Sequence, residues 1–343
     1  MKVWELQPGS KSTDGLKLTE RPDPKPARGQ ILVRVRAASI NYRDQAAVRG
    51  TYFPFQKPTI PLSDGAGEVV EIGPDVAGLK VGDKVAGLFS QPDPKGPGWP
   101  MMAMGLPLDG MLAEYVVMYE TGAIKLPRDY SFEEGACLPC AGATAWNCLF
   151  GIGRPMRPGD VVLVLGTGGV SIWALQFARA AGCRVIATTS RDSKAQRLQS
   201  LGASDVINYK THENWDQEVL LRTGGVKGAA PMIMGGGVDC VVEVGGAGTM
   251  QRSINSLGRG GKVGVIGVLT QGTSNAASIM MKGGSINGVG VGDRSVFEQM
   301  NRAIEVNRIK PVVDKVFPFA EARAAFEHQG SGDFIGKVVI SMG

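Results

Sequence analysis

Histidine is scarce in this chain of 343 residues, which has only His212 and His328. The five cysteines are an odd number, and Cys137 and Cys140 make the sole CxxC pair, so neither a disulfide framework nor a structural zinc site is expected. Long apolar runs and long Lys/Arg runs are also missing. These two absences predict that no segment spans a membrane and that nucleic acid is not a partner.

The remaining composition is typical of a globular enzyme of about two domains. The net charge of +5 favours a small anionic ligand, and the 49 glycines and 20 prolines indicate many turns. Residues 1–6 alternate like a strand and have no signal-peptide core, so we expect a cytoplasmic protein.

Short β-strands dominate the first 128 residues. Residues 31–37 alternate with a period of two, and further strands are predicted at 67–73, 81–86 and 114–117. Short strands with frequent turn signals predict a barrel-like β domain. Residues 91–110 interrupt this pattern with many prolines and glycines. A lid over the substrate and a surface or subunit-contact loop both remain open for this segment.

Strands and helices alternate regularly from residue 129 to about 290. The predicted strands are 161–165, 184–188, 206–207, 238–244, 262–267 and 285–291. This alternation predicts an α/β fold with a doubly wound parallel sheet. We therefore expect a first domain at 1–128, completed by 300–343, and an inserted nucleotide-binding domain at 129–299. The active cleft is expected between them.

The most informative stretch is the buried strand 161–165, which a glycine turn at 166–170 connects to a helix. Such a turn leaves backbone N–H groups free at the positive end of the helix dipole, which makes a pyrophosphate site. The third glycine of the usual fingerprint is replaced by Ser171, which is small enough for close helix–sheet packing. The alternative interpretation is an ordinary tight turn.

The end of the next strand indicates which dinucleotide binds. In NAD-binding versions of this fold, an acidic residue ends that strand and binds the ribose hydroxyls. Here Ser190 and Arg191 follow the strand, with Lys194 shortly after, and these groups suit a 2′-phosphate. We therefore predict NADPH, although Asp192 lies close enough to weaken the charge argument. The alternative is that Arg191 and Lys194 are solvated surface residues.

Several motifs occur along the chain in a fixed order. They are ASINYRD at 38–44, PLSDGAGEVV at 61–70, VGDKV at 81–85, LPCAGATA at 138–145, the glycine turn, LGA at 201–203 and IGKVV at 335–339. Together they resemble the medium-chain dehydrogenase/reductase superfamily, most closely its zinc-free quinone oxidoreductase-like and zinc-type alcohol dehydrogenase-like branches. The resemblance covers essentially the whole chain. It implies a GroES-like β-barrel catalytic domain, a Rossmann domain and a homodimer.

The chain differs from the zinc enzymes of that superfamily at the positions of their metal ligands. By resemblance, the positions of their catalytic zinc ligands are Asn41, Ser63 and Cys140, of which only Cys140 binds zinc tightly. Their proton-relaying hydroxyl is replaced by Arg43, and residues 89–111 lack the cysteines of a structural zinc lobe. We therefore expect no bound zinc.

Without a Lewis acid, hydride transfer is easiest to acceptors that delocalise the developing negative charge. An enone or a quinone gives an enolate or phenolate, which a hydrogen-bond donor can stabilise. We therefore predict a zinc-independent NADPH-dependent oxidoreductase that acts on a quinone, an enone or a related activated carbonyl. The protein would hold nicotinamide C4 against that acceptor in a dry cleft.

Candidate roles follow for individual residues. Tyr42 is the candidate donor or stacking wall beside the substrate, with a packed core tyrosine as the alternative. By resemblance, Asn41 lies near the nicotinamide ribose, and Asp64 orients a neighbour. The other predicted cofactor contacts are Thr144, Gly166, Thr167, Gly168, Gly169, Val170, Tyr209, Gly245, Ile266, Val268, Val289, Val291 and Lys337.

Two other functions remain open from the sequence. One is an NAD(P)-dependent alcohol dehydrogenase or aldehyde reductase that uses Tyr42 and a water. The other is an NADPH-binding structural or RNA-associated crystallin-like protein, against which the modest charge and the lack of a basic, aromatic-rich strip both count.

Overall fold

The computed structural model describes residues 1–92, 102–227 and 235–343. Residues 93–101 of the predicted loop at 91–110 therefore lie outside the described residues. The chain divides into two compact units. The first contains Met1–Ala143 and Asp293–Gly343, and the second contains Thr144–Gly292. Within the described ranges, no helix has the length and apolar character needed to cross a bilayer.

The described strands occur in both units and are numbered in chain order. They are β1 Lys2–Leu6, β2 Leu16–Glu20, β3 Gln30–Ser39, β4 Asp64–Ile72, β5 Lys84–Gly87, β6 Tyr115–Tyr119, β7 Ala123–Lys125, β8 Val161–Val164, β9 Arg184–Thr189, β10 Asp205–Asn208, β11 Val238–Glu243, β12 Leu257–Val265, β13 Ser285–Gly288, β14 Val313–Pro318 and β15 Lys337–Ser341.

The described α-helices are mostly short. They are α1 Tyr42–Val48, α2 Phe132–Gly135, α3 Ala143–Trp146, α4 Gly169–Ala180, α5 Ala195–Ser200, α6 Trp215–Arg222, α7 Ala247–Asn255, α8 Ala276–Lys282, α9 Arg294–Asn307 and α10 Ala322–Gly330.

A seven-stranded sheet forms most of the first unit. Its order is β14-β15-β3-β4-β5-β7, with β6 also paired to β3, and only β14 and β15 run parallel to each other. The inward residues Ile31, Val33 and Val35 of β3 are at most 1% exposed, as their alternation predicts. Strand β15 pairs with β3, so the C-terminal segment belongs to this sheet. Helix α2 packs on β3 and β4, and residues 129–143 belong to this unit as well.

The second unit contains a sheet of six parallel strands in the order β10-β9-β8-β11-β12-β13. Val162, Leu163 and Val164 of β8 are fully buried, because a parallel sheet is covered on both faces. The predicted doubly wound sheet is thus confirmed. Strand β8 lies between β9 and β11, where the strand order reverses. Ligands bind outside the carboxyl ends of the strands at such a switch point.

The sequence predicts one helix from Glu133 into Trp146, and the structure differs in detail. Helix α2 ends at Gly135, residues 138–142 are π-helical, and α3 leads into a second π-helical segment at 147–151. Pro139 lies in the first π-helical segment. It has no N–H to continue an α-helical ladder, which accounts for the interruption.

Candidate functional site

The glycine turn joins β8 to α4 in the second unit. Gly166 has a φ of 72°, and a Cβ there or at Gly168 would meet nothing within 4 Å. A ligand can therefore approach the N–H groups of the first turn of α4, where the helix dipole is positive. Ser171 is buried, and its hydroxyl donates to the Leu165 carbonyl at 2.6 Å. The turn fits a pyrophosphate group.

The residues predicted for the 2′-phosphate lie at the same edge of the sheet. Ser190 and Arg191 follow the carboxyl end of β9, and Arg191 is exposed. Lys194 is buried, and its Nζ donates to Oγ1 of Thr167 in the glycine turn at 3.2 Å. The structure therefore holds a buried ammonium beside the turn, with a guanidinium on the neighbouring strand end. This arrangement suits a phosphorylated dinucleotide.

Asp192, which weakens the charge argument, has a partner on the next strand. Its Oδ1 accepts from Nδ2 of Asn208, the last residue of β10, at 2.8 Å. Tyr209 comes directly after Asn208 and is 37% exposed, and its N–H donates to the Thr189 carbonyl. The hydrogen bond joins the Asp192 carboxylate to β10.

At the carboxyl end of β11, one side chain forms hydrogen bonds that the sequence did not predict. Glu243 is fully buried, and its Oε1 accepts from the N–H groups of Gly245 at 2.6 Å and Gly246 at 2.9 Å. The same carboxylate accepts from the hydroxyls of Thr249 and Ser253. The Gly245 N–H is therefore already bonded within the unit, so its backbone donor is not open to a cofactor as the sequence suggested.

The other predicted cofactor residues follow the carboxyl ends of strands or lie at the start of this unit. Ile266 donates through its N–H to the Glu243 carbonyl, and Val268 is 85% exposed. Val289 and Val291 are half-buried and follow β13. Thr144 is buried in α3. The strand order accordingly brings these residues to one edge of the sheet, except Thr144.

The predicted catalytic residues belong to the first unit. Asn41 caps α1, and Tyr42 begins that helix with half of its surface exposed. Oδ2 of Asp44 accepts from the Asn41 N–H at 2.7 Å, which completes a capping box. Burial raises the pKa of the Asp44 carboxyl to about 6. The exposure of Tyr42 suits a group that contacts a ligand better than a packed core tyrosine.

Arg43 ties α1 to a distant segment. Its guanidinium donates to the carbonyls of Met104 and Leu106, each at 2.7 Å, and lies 5.0 Å from the ring centroids of Tyr52 and Phe89. A guanidinium stays protonated at working pH and cannot relay a proton. Arg43 is therefore a structural tether.

The three positions expected from the zinc enzymes contribute to one buried network. Nζ of Lys337 donates to the Ile40 carbonyl at 2.9 Å and to Oδ1 of Asn41 at 2.5 Å. Nδ2 of Asn41 donates to Oγ of Ser63 at 3.4 Å, and that hydroxyl donates to Oδ1 of Asp64 at 2.7 Å. Oδ2 of Asp64 lies 3.6 Å from Nζ of Lys337 and closes the network.

This donor set does not fit zinc. Oδ2 of Asp64 also accepts from the backbone N–H of Cys140 at 3.1 Å, and burial raises the pKa of the Cys140 thiol well above its usual range. The amide of Asn41 and the hydroxyl of Ser63 are weak zinc ligands at the other two positions, and the Lys337 ammonium beside the Asp64 carboxylate opposes a second cation. Among the residues that the structure describes, no three His, Cys, Asp or Glu side chains group as metal ligands.

Sequence reasoning found the members of this network but not their connections. It predicts Lys337 near the cofactor but not its contacts, in which the residue is 2% exposed and its ammonium donates to Asn41. It treated Ser63 only as a lost ligand. The spacing of Asn41 and Asp44, a capping-box pattern, was a local signal for the cap. Contacts between residues so far apart in sequence leave no such local signal.

Comparison with known proteins identifies the family. Residues 27–128 match the model for the alcohol dehydrogenase GroES-like domain, and residues 169–305 match the model for zinc-binding dehydrogenase. The chain is 42% identical over 325 residues to a zinc-type alcohol dehydrogenase-like protein of Schizosaccharomyces pombe, covering 92% of this chain and 91% of that protein. The chain therefore belongs to the medium-chain dehydrogenase/reductase superfamily. The predicted GroES-like and Rossmann-type architecture is confirmed.

Two further similarities concern unsaturated thioesters. The chain is 27% identical to the acryloyl-coenzyme A reductase of Sulfurisphaera tokodaii, covering 97% of this chain and 98% of that one. It superposes with a TM-score of 0.87 and 25% identity on the 2-octenoyl-CoA carboxylase reductase CINF, solved in complex with NADP and 2-octenoyl-CoA, covering 99% of this chain and 87% of that one. This chain is an oxidoreductase of the superfamily.

Proposed function

We propose that this protein is a zinc-independent reductase that transfers hydride from NADPH to an enone, a quinone or a related activated carbonyl. The observation that carries the proposal is the closed network of Lys337, Asn41, Ser63 and Asp64, in which two of the three positions expected for zinc ligands, Asn41 and Ser63, hold groups that do not suit zinc. Conjugated acceptors delocalise their developing charge, so a hydrogen-bond donor suffices where a simple ketone needs stronger polarisation.

The cofactor in this proposal is NADPH, which supplies the hydride when bound. The open glycine turn and the first turn of α4 suit its pyrophosphate, and Ser190, Arg191 and Lys194 suit its 2′-phosphate. The NADP complex of the structurally similar carboxylase reductase supports this choice.

Within the first unit, the proposal gives Tyr42 and Asn41 roles at the substrate and Asp64 a positioning role. Tyr42 is exposed at the start of α1, where its hydroxyl or ring can contact the acceptor. Asp64 is fully buried and fixes Ser63 and the backbone of Cys140. The two similarities to enzymes of unsaturated acyl-CoA support a conjugated carbonyl as the acceptor class.

A panel of acceptors tests the proposal. Purified protein is mixed with NADPH and a series of quinones, enones, enoyl thioesters, aldehydes and ketones, and NADPH oxidation is followed by absorbance before and after treatment with a zinc chelator. We expect turnover of conjugated acceptors, little turnover of simple ketones, and no loss on chelation. Turnover confined to aldehydes and simple ketones would refute the proposed acceptor class. NADPH binding without turnover across the panel would indicate a binding protein.

A zinc alcohol dehydrogenase is the second candidate, favoured by the 42% identity to the zinc-type alcohol dehydrogenase-like protein of Schizosaccharomyces pombe. Metal analysis separates the two functions. One zinc per chain that is required for activity would select the alcohol dehydrogenase.

A further inference from the structure

Four side chains of the first unit form a closed ring of three hydrogen bonds and one ion pair, and each of the three hydrogen bonds has a fixed direction. The Lys337 ammonium can only donate, and the Asp64 carboxylate accepts from the Ser63 hydroxyl. Because the Ser63 proton is directed to Asp64, its oxygen accepts from Asn41. Asp64 then faces Lys337 at 3.6 Å and closes the ring.

The fixed directions of these hydrogen bonds determine the orientation of the Asn41 amide. An amide can rotate by 180° and exchange its oxygen with its nitrogen, and the surrounding hydrogen bonds decide which orientation holds. Here the oxygen must face the Lys337 ammonium, since the opposite orientation would set an N–H against an ammonium. The nitrogen therefore faces Ser63. One of its two N–H bonds is donated to Ser63, and the other has no acceptor among the residues that the structure describes.

Asn41 is also the member of the ring nearest to solvent. It is 9% exposed, whereas Lys337 is 2% exposed and Ser63 and Asp64 are fully buried. It lies directly before the half-exposed Tyr42 at the start of α1. The ring thus holds the neutral Asn41 amide at the edge of the buried network, with the Lys337 ammonium bonded to the amide oxygen.

We propose that Lys337 is a positioning residue that acts through Asn41. By fixing the amide oxygen, it directs the unused N–H of Asn41 to the oxygen of the hydride acceptor. This inference rests on the proposed function. When the β-carbon of an enone accepts the hydride that NADPH would supply by breaking its nicotinamide C4–H bond, a new C–H bond forms there and the C=C electron pair shifts toward the carbonyl. The carbonyl oxygen takes the negative charge, the Asn41 N–H stabilises it, and the α-carbon then takes a proton from water.

A double-mutant cycle tests this dependence. Asn41→Ala removes the donor and should lower kcat by about 100-fold, the order that loss of one such donor costs. Lys337→Met removes the charged one of two donors to the amide oxygen, the other being the Asp44 N–H of the capping box, and should lower kcat by about 10-fold, with the Kd for NADPH changed less than about threefold. If Lys337 acts through Asn41, adding Lys337→Met to Asn41→Ala costs less than about threefold further. Losses that multiply would overturn the proposal.

Two further variants separate positioning from folding. Asn41→Asp keeps an acceptor for Lys337 but removes both N–H groups of the amide, so it should lose at least as much kcat as Asn41→Ala, and its Tm reports whether it folds. Near wild-type kcat in this variant would refute the donor, even if Lys337→Met failed to fold. Lys262→Met is the matched control, because Lys262 is another buried lysine bonded to main-chain carbonyls, and kcat should stay within about twofold.

Binding of para-nitrophenol in the presence of NADP tests the donor without turnover. A donor that stabilises an oxyanion lowers the pKa of the bound phenol, which the visible absorbance of the phenolate reports. We expect this pKa to fall on binding to the wild type and not to fall with Asn41→Ala or Lys337→Met. An equal fall in all three proteins, or no binding, would refute the inference. A fall in the wild type alone, with no NADPH oxidation on any acceptor, would refute the proposed function and not the donor.

Discussion

Arg191 is the residue on which the choice of dinucleotide depends most directly. It follows β9 beside Lys194, and its guanidinium suits a phosphate in both charge and shape. Arg191→Ala should weaken NADPH binding by about 1.5–3 kcal/mol and barely change NADH binding, because only NADPH carries the 2′-phosphate. Fluorescence titration of both cofactors measures the two dissociation constants.

Arg197→Ala provides the matched control, since Arg197 is an exposed arginine on the following helix α5. It should leave both dissociation constants nearly unchanged. Equal losses of NADPH and NADH affinity in Arg191→Ala would contradict the phosphate assignment.

Asp44 should make stability depend on pH in an unusual direction. Burial raises its pKa from 3.8 to about 6, so the folded chain holds its proton more tightly than the unfolded chain. The contribution of Asp44 to the free energy of unfolding therefore falls by about 3 kcal/mol in all as the pH rises from about 4 to about 6. Asp44→Asn keeps an oxygen for the Asn41 N–H and has no charge to bury. The Tm of this variant should rise relative to the Tm of the wild type as the pH increases from 4 to 7.

The control for this titration is Asp75→Asn, at an exposed aspartate of the same unit. Its Tm difference from the wild type should be nearly constant over that range. A constant difference for Asp44→Asn as well would show that Asp44 ionises as freely in the folded chain as in the unfolded one.

At the scale of elements, Lys262 of β12 binds the carbonyl end of the π-helical segment at 147–151 in the second unit. Its buried ammonium donates to the carbonyls of Cys148 at 2.8 Å, Leu149 at 3.3 Å and Ile152 at 2.6 Å. The last carbonyls of a helix lack partners within it, so a lysine there satisfies them and complements the helix dipole. Lys262→Met leaves them buried without that donor and should lower the free energy of unfolding by about 3 kcal/mol.

Chemical denaturation measures this loss, and Lys227→Met, at an exposed lysine of the same unit, is the control. The control should change the free energy of unfolding by less than about 0.5 kcal/mol. A similar small change in Lys262→Met would mean that water replaces the lysine at these carbonyls.

The elements themselves were largely predictable, because periodicity and turn residues are local signals. Buried runs such as β8 and the glycine turn before α4 read directly from the sequence. The ring around Asn41 was not predictable in the same way. Its members come from the loop before α1, the start of β4 and the start of β15, and only the folded sheet brings them together. Glu243 was missed for the same reason, since its partners depend on how β11 meets α7.

At the scale of the whole molecule, the parallel sheet of the second unit ends at β13, which has no partner on its outer side within residues 1–92, 102–227 and 235–343. Strand β13 bonds to β12 on one side and is the last strand in the order. Its Ile286 is 44% exposed, and on the neighbouring α8 Met280 is 71% and Met281 is 56% exposed. An open strand edge beside exposed apolar side chains readily pairs with another chain. We propose that two copies of this protein associate through β13, with the same patch used by both.

Light scattering after size-exclusion chromatography tests this assembly. The wild type should have twice the mass of one chain, and Ile286→Lys should have the mass of one chain, because a lysine there would face its own copy across a two-fold axis. Val316→Lys is the control, since Val316 is 45% exposed on β14, the edge strand of the other sheet, and this variant should keep the wild-type mass. A monomeric wild type would refute the association. Dissociation by Val316→Lys but not by Ile286→Lys would place the interface on another surface. Because the proposed cofactor residues lie at the carboxyl ends of the strands and β13 pairs along its length, the Ile286→Lys monomer should still bind NADPH with nearly the wild-type Kd.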